Sequence, residues 1–142
     1  MITISTGGRG DFGHVLSFWK EATTVPSSTD DVAALERLLA DSPDALLIAL
    51  DDGALVGTVI AAWDGWRASM YRLAVAPSHR RQGIASALVA DAEARLRAHG
   101  ARRFHLIVEG GELSAQAFWQ SVGFAPTAQL RFVKTVTMAG ML

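Results

Sequence analysis

Arg80-Arg81-Gln82-Gly83-Ile84-Ala85-Ser86 is the stretch whose residue types and spacing point most directly to chemistry. Small residues at Gly83, Ala85 and Ser86 leave the backbone N–H groups of a helix's first turn open. Those donors and the positive end of the helix dipole form a site for an anion. Arg80 and Arg81 add charge. No Gly-Lys-Ser/Thr follows, so the stretch is not a nucleoside-triphosphate loop. The plainer reading of the same residues is an ordinary basic helix start.

A second glycine motif lies near the N-terminus. Gly8-Arg9-Gly10-Asp11-Phe12-Gly13 matches Gly-x-Gly-x-x-Gly, follows a short strand and opens a helix, and Asp30 stands about 20 residues on. A dinucleotide site needs that acid at the end of a second strand. Asp30 begins a helix instead, and no strand comes between. The motif reads better as a loose turn before the first helix.

Composition removes other chemistries. Lys and Arg number 13 against 14 Asp and Glu, a net charge of -1. A general nucleic-acid binder or a polybasic membrane anchor needs an excess of cations. Cysteine is absent, which excludes disulfides, thiolate metal sites and a cysteine nucleophile. The four His are scattered with no His-x-x-x-His pair, so no metal is expected. Met1 to Ser5 does not read as a signal peptide, and no apolar run approaches the roughly 20 residues of a membrane span. The expectation is a cytoplasmic protein with 142 residues in a single domain.

The elements that must position these residues follow from periodicity. Ile2 to Ser5 alternates like a short strand. A helix is expected from Asp11 to about Ala22, with Val15, Phe18 and Trp19 on one face. Thr29 or Asp30 can cap a second through Ala40, and Ser42-Pro43 stops it. Ala45 to Leu50 and Leu55 to Trp63 are apolar runs joined by Asp51-Asp52-Gly53, a hairpin signal. Met70 to Val75 reads as the next strand. Ile84, Leu88, Ala92 and Leu96 recur every four residues in a long helix that stops at Gly100. Arg103 to Glu109 reads as a strand, Ser114 to Val122 as a short helix, and Leu130 to Thr137 as a closing strand. The order implies an α/β (α+β) fold: a mixed, mostly antiparallel sheet of about six to seven strands flanked by about four helices.

Two of these stretches resemble a known family. Leu73-Ala74-Val75-Ala76-Pro77 with Arg80-x-x-Gly83-x-Ala85 is similar to the acetyl-CoA signature of the GCN5-related N-acetyltransferases (GNAT). Ala115-Gln116-Ala117-Phe118-Trp119-Gln120-Ser121-Val122-Gly123-Phe124 resembles their closing Ala-x-x-Phe-Tyr-x-x-x-Gly-Phe. The order and spacing of elements fit the family fold from end to end, and the Trp63 to Arg67 hairpin resembles small bacterial members.

The resemblance implies roles. Backbone at Leu73, Ala74 and Val75 pairs with the pantetheine arm, as an added strand would. Amides from Arg81 through Ser86 (Arg81, Gln82, Gly83, Ile84, Ala85, Ser86), flanked by Arg80, cradle the pyrophosphate. The Val75 N–H serves as the thioester's oxyanion donor. Trp119 stands at the position of the usual tyrosine acid, Glu112 at that of an asparagine, and Ile107 at that of a glutamate base. An indole donates a hydrogen bond but is no proton-transfer acid. Tyr71, two residues before Leu73 and expected on the same face, is the first candidate to face the acceptor. The alternative is a strand residue packed beneath a helix. Asp64 could bind or deprotonate an amine, although Asp-Gly is also a turn former. Glu109 is a weaker base candidate. His105 and His79 read as surface residues.

The implied activity is acetyl transfer from acetyl-CoA to a small-molecule amine or a peptide N-terminus, with Tyr71, Asp64, Glu109 and Trp119 as candidate catalytic residues. A different class keeps the cofactor site without turnover, as a CoA-binding sensor; the Gly8 motif alone supports a dinucleotide-binding domain. A homodimer could use Trp63, Trp66 and the Leu130 to Val136 stretch.

Overall fold

Ala45 to Ala49 is apolar at every position, the pattern of a strand covered on both faces rather than on one. The computed structural model, which describes residues 1–22, 26–108 and 110–136, builds its first unit around that strand. The chain divides into two units, Met1–Ile107 and Val108–Leu142.

The first unit holds β1 (Ile2–Thr6), α1 (Phe12–Ala22), α2 (Val32–Asp41), β2 (Leu46–Asp51), β3 (Ala54–Trp63), β4 (Ala68–Val75), α3 (Ile84–His99) and β5 (Phe104–His105). The strands lie in the order β1-β2-β3-β4-β5. The first four are antiparallel neighbours, and β5 runs parallel to β4. The fold class is therefore the one expected, a mixed and mostly antiparallel sheet with helices.

Each sheet face has its own helices. Phe12, Val15, Phe18 and Trp19 of α1 and Leu35 of α2 pack on Leu46, Ile48, Ile60 and Ala74. On the other face, α3 buries Ile84, Leu88, Val89, Ala92 and Leu96. Gly57 is what lets α3 lie close. A Cβ there would stand 3.0 Å from Leu88 Cδ1, 3.2 Å from Ile84 Cγ2 and 3.3 Å from the Ala49 Cβ. Those neighbours are all buried. We expect Gly57→Ala to destabilise the protein by about 1 kcal/mol in urea denaturation. Overpacking costs roughly 1–3 kcal/mol, partly offset by the less flexible unfolded chain. An unchanged midpoint would mean that α3 yields without cost.

The sheet has five strands among the described residues, fewer than the six or seven expected. The stretch Arg103 to Glu109 yields only Phe104 and His105 as strand. Pairing with β4 ends at Ser69↔His105, three residues before a bulge at Arg72, and bulges add local twist that terminates ladders. Residues 130–136 of the expected closing strand are not in a strand, and Thr137 lies outside the described residues. Leu130, Phe132, Val133 and Val136 are exposed. Alternation supplies propensity, but a strand exists only where a second backbone pairs with it. The second unit contains α4 (Leu113–Ser121), which ends where Gly123 takes φ +99°.

Candidate active site

The start of α3 is built as an uncapped helix end. After β4, Pro77–His79 makes one 3-10 turn. Arg81 and Gly83 then adopt left-handed backbone, φ +63° and +82°. Gly83 is the N-cap of α3 and offers no side-chain cap. The first intrahelical bond runs from Ala87 N–H to the Gly83 carbonyl at 3.0 Å. The N–H groups of Ile84, Ala85 and Ser86 are the donors that a helix start leaves over. A Cβ at Gly83 would meet nothing within 4 Å, so the space beside these donors is open. Left-handed residues in such a loop turn successive N–H groups toward one point, which suits a phosphate. The helix start at which an anion site is expected therefore has no side-chain cap.

The strand leading to it presents an open edge. Beyond Ser69, no strand pairs with the β5 side of β4 among the described residues. The Ala76 N–H donates to the Val56 carbonyl at 2.8 Å, toward β3. Backbone groups alternate sides along a strand, so the Val75 N–H points to the free edge, as does that of Leu73. Arg80 Nε donates to the Val75 carbonyl at 3.4 Å on that edge. An extended ligand arm has unpaired backbone to bind there.

Tyr71 sits on a different face from the one expected. The register pairs Thr58 with Ala74 but Ile60 with Tyr71, so β4 contains one extra residue. The bulge falls at Arg72, φ +54°. It reverses the alternation, placing Tyr71 on the sheet face of Ile60 and Ala74, the face that carries α1 and α2, and Leu73 on the opposite face. Tyr71 is 52% exposed, so it is not packed beneath a helix.

A network that the sequence does not announce holds this bulge. The Arg72 guanidinium pairs with Asp30 through two hydrogen bonds, Nε to Oδ1 at 3.0 Å and Nη2 to Oδ2. It also lies over the Trp19 ring, 5.4 Å from the centroid. Trp19 Nε1 donates to Thr58 Oγ1 at 2.8 Å, and Thr58 Oγ1 donates to the Arg72 carbonyl at 2.8 Å. Thr58 is fully buried, so both bonds replace lost water. Asp30 is thus not the cap of α2; Asp31 is, accepting from the Ala34 N–H at 2.8 Å. Asp30 accepts from the Ser27 N–H and anchors this loop to β4. Trp19 is core. The 42-residue separation of Asp30 and Arg72 leaves no local pattern to read.

Asp64 Oδ1 accepts from the N–H groups of Arg67 at 2.6 Å and Trp66 at 2.8 Å. These bonds, the Arg67 one first, hold its carboxyl below the usual carboxylate range, so it is ionised at neutral pH and shapes the turn. A base with a lowered pKa is a weaker proton acceptor. Glu109 lies outside the described residues. Glu112 is the N-cap residue of α4 without a side-chain cap bond, and Ile107 is exposed. Trp119 is buried, its ring edge-on to Phe118 at 5.2 Å and Phe124 at 5.1 Å. His79 Nε2 bonds Asp51 at 2.9 Å, which holds that carboxyl below its usual range. His105 Nδ1 meets the Ala68 carbonyl at 3.3 Å. In the N-terminal glycine motif, Asp11 Oδ2 accepts from the Gly8 N–H at 2.7 Å, closing the turn before α1. No group of His or carboxylates among the described residues could hold a metal.

Known proteins resemble this chain in family and in fold. Residues 13–124 match the profile of the Acetyltransferase (GNAT) family. An acetyltransferase of Photorhabdus laumondii is 39% identical over 98 residues, covering 69% of this chain and 68% of that protein. Among solved structures, the PaiA N-acetyltransferase of Thermoplasma acidophilum in complex with coenzyme A superposes with a TM-score of 0.80 at 18% identity, covering 91% of this chain and 92% of that one. The aminoglycoside N-acetyltransferase AAC(6')-Iy in complex with CoA gives 0.76 at 22% identity, covering 95% of each. At such identities the structural likeness speaks to the fold.

Proposed function

The chain belongs to the acetyltransferase (GNAT) family, and from that premise we propose that it transfers the acetyl group of acetyl-CoA to a primary amine in the cytoplasm, on a small molecule or a protein N-terminus. The observation that carries this reading is the free edge of β4 at Leu73 and Val75 leading into the uncapped start of α3. Leu73, Ala74 and Val75 hold the pantetheine arm, and the loop from Arg80 to Ser86 holds the pyrophosphate. We take 1–142 as one domain, because the family match runs through the boundary between the two units.

The chemistry is direct attack. A neutral amine nitrogen bonds to the thioester carbon, the carbon–sulfur bond breaks, the amine loses a proton and the thiol leaves. The Val75 N–H stabilises the oxyanion that develops. Holding both reactants in line replaces a bimolecular encounter. An α-amine, with a pKa near 8, is roughly one-tenth neutral at pH 7, whereas a lysine near 10.4 needs a base. With Asp64 engaged in its turn, the less basic amine suits this site better. The aminoglycoside acetyltransferase that shares the fold supports a small amine as acceptor.

The test is release of free thiol from acetyl-CoA across a panel of amines and N-terminal peptides. Acceptor-dependent release is expected. Tight binding of acetyl-CoA with no release for any acceptor would favour a CoA sensor and overturn this reading.

A further inference from the structure

α3 has 16 residues and so spans about 24 Å. At its far end from the phosphate loop lies a second cavity, of about 550 Å³. It is an open groove lined by the β3–β4 turn and the segment following α3, with Trp63, Trp66, Arg67, Arg102 and Arg103 in its wall. That size is within the range of small-molecule sites.

Its chemistry is one-sided. Three guanidiniums line it, and His99 and His105 join them, while no carboxylate among the described residues does. Arg102 and Arg103 have no carboxylate ion-pair partner among the described residues, whereas the Arg67 charge acts on Asp64. Asp64 also accepts from two backbone N–H groups, and Asp44 Oδ2 meets His99 Nε2 at 3.1 Å. The carbonyls at the end of α3 are also engaged, since Gly100 N–H bonds the Arg97 carbonyl and Ala101 N–H that of Leu96, both at 3.0 Å. The negative pole of the helix is thereby blunted.

The walls are flat. Trp63 stacks on His99 at 6.3 Å and 18°. Arg67 covers one face of Trp66 at 4.3 Å, yet Trp66 remains 75% exposed, which leaves indole surface for another ring. Planar guanidiniums bind phosphate bidentately, and aromatic faces stack on bases.

We propose that this cavity is a binding site for a small phosphate ester carrying a flat ring, that is, a nucleotide, separate from the acetyl-CoA site. The phosphate pairs with Arg102 and Arg103, and the base stacks on Trp66.

Calorimetric titration at fixed ionic strength tests it, with adenosine 5′-monophosphate as the probe. Inorganic phosphate supplies the charge alone and adenosine the ring alone. The monophosphate should bind at least tenfold more tightly than either. Arg102→Glu combined with Arg103→Glu should weaken it at least tenfold, and Trp66→Ala severalfold. These side chains are exposed, so unchanged melting temperatures verify folding. Gly83→Val should leave the affinity within twofold. Three outcomes overturn the proposal. One is no saturable binding below about 1 mM. Another is phosphate binding as tightly as the monophosphate, which marks a simple counter-ion site. The third is binding lost in Gly83→Val but kept in the arginine variants, which puts the nucleotide in the phosphate loop.

Discussion

Gly83→Val is expected to raise the Kd for acetyl-CoA about 100-fold, a loss of about 2.7 kcal/mol. Two effects act together. Gly83 holds φ +82°, and a residue with a Cβ pays roughly 1–2 kcal/mol there, most of all a β-branched one. The loop then relaxes and the N–H groups of Ile84 to Ser86 turn away from the phosphate. Each charge-assisted bond lost costs about 1.5–3 kcal/mol. The added methyls also occupy the open space through which a pyrophosphate approaches. No protein atom lies within 4 Å of the new Cβ, so the loss is not a packing defect. Thermal unfolding reads it out. At 100 times the parent's Kd, ligand stabilises the parent by about 2.7 kcal/mol, while the variant gains about 0.4 kcal/mol at the same concentration. The comparison is of ligand-induced shifts, which removes the variant's own strain. Stabilisation equal to the parent's would refute the phosphate assignment.

The start of α3 was legible because its signal is local: Gly83 followed by the four-residue recurrence of Ile84, Leu88, Ala92 and Leu96 marks it within one stretch. The β2–β3 hairpin was legible for the same reason: Asp52 and Gly53 take the left-handed conformations that Asp-Gly favours. Gly100 likewise ended α3 in a left-handed cap. What stayed hidden is non-local. The bulge at Arg72 leaves no mark in composition, because a charged residue holds the left-handed position usually left to glycine. Its support comes from Thr58, 14 residues away, and Asp30, 42 residues away. One inserted residue then reversed which face Tyr71 occupies, and no count along β4 alone could show that. The glycines at 8, 10 and 13 erred the other way: a motif complete in letters, whose turn Asp11 closes within the chain itself.

That reversal bears on the proton donor. The resemblance of Ala115–Phe124 to the family's closing motif implies that Trp119 stands where a tyrosine acid is expected. The indole ring is buried between Phe118 and Phe124, a packing role that phenylalanine can fill. Trp119→Phe keeps an aromatic ring while removing the N–H and the rest of the pyrrole ring, and should lower turnover little. Trp119→Tyr should leave the rate unchanged or raise it, since it restores an acid at the family's position. Tyr71 is the one phenol in the chain, exposed on the sheet face that carries α1 and α2 and next in sequence to the bulge at which Arg72 bonds Asp30 and Thr58. Tyr71→Phe should therefore reduce kcat by about 10²- to 10⁴-fold, the usual contribution of a positioned acid or base. Acetyl-CoA binding should be unaffected, because Tyr71 belongs neither to the phosphate loop nor to the β4 edge at Leu73 and Val75. Rates with one working amine, followed across pH, separate the cases. The Tyr71→Phe profile should lose a limb that Trp119→Phe retains. If Trp119→Phe is as inactive as Gly83→Val while Tyr71→Phe turns over like the parent, the indole N–H has a specific task and the phenol has none.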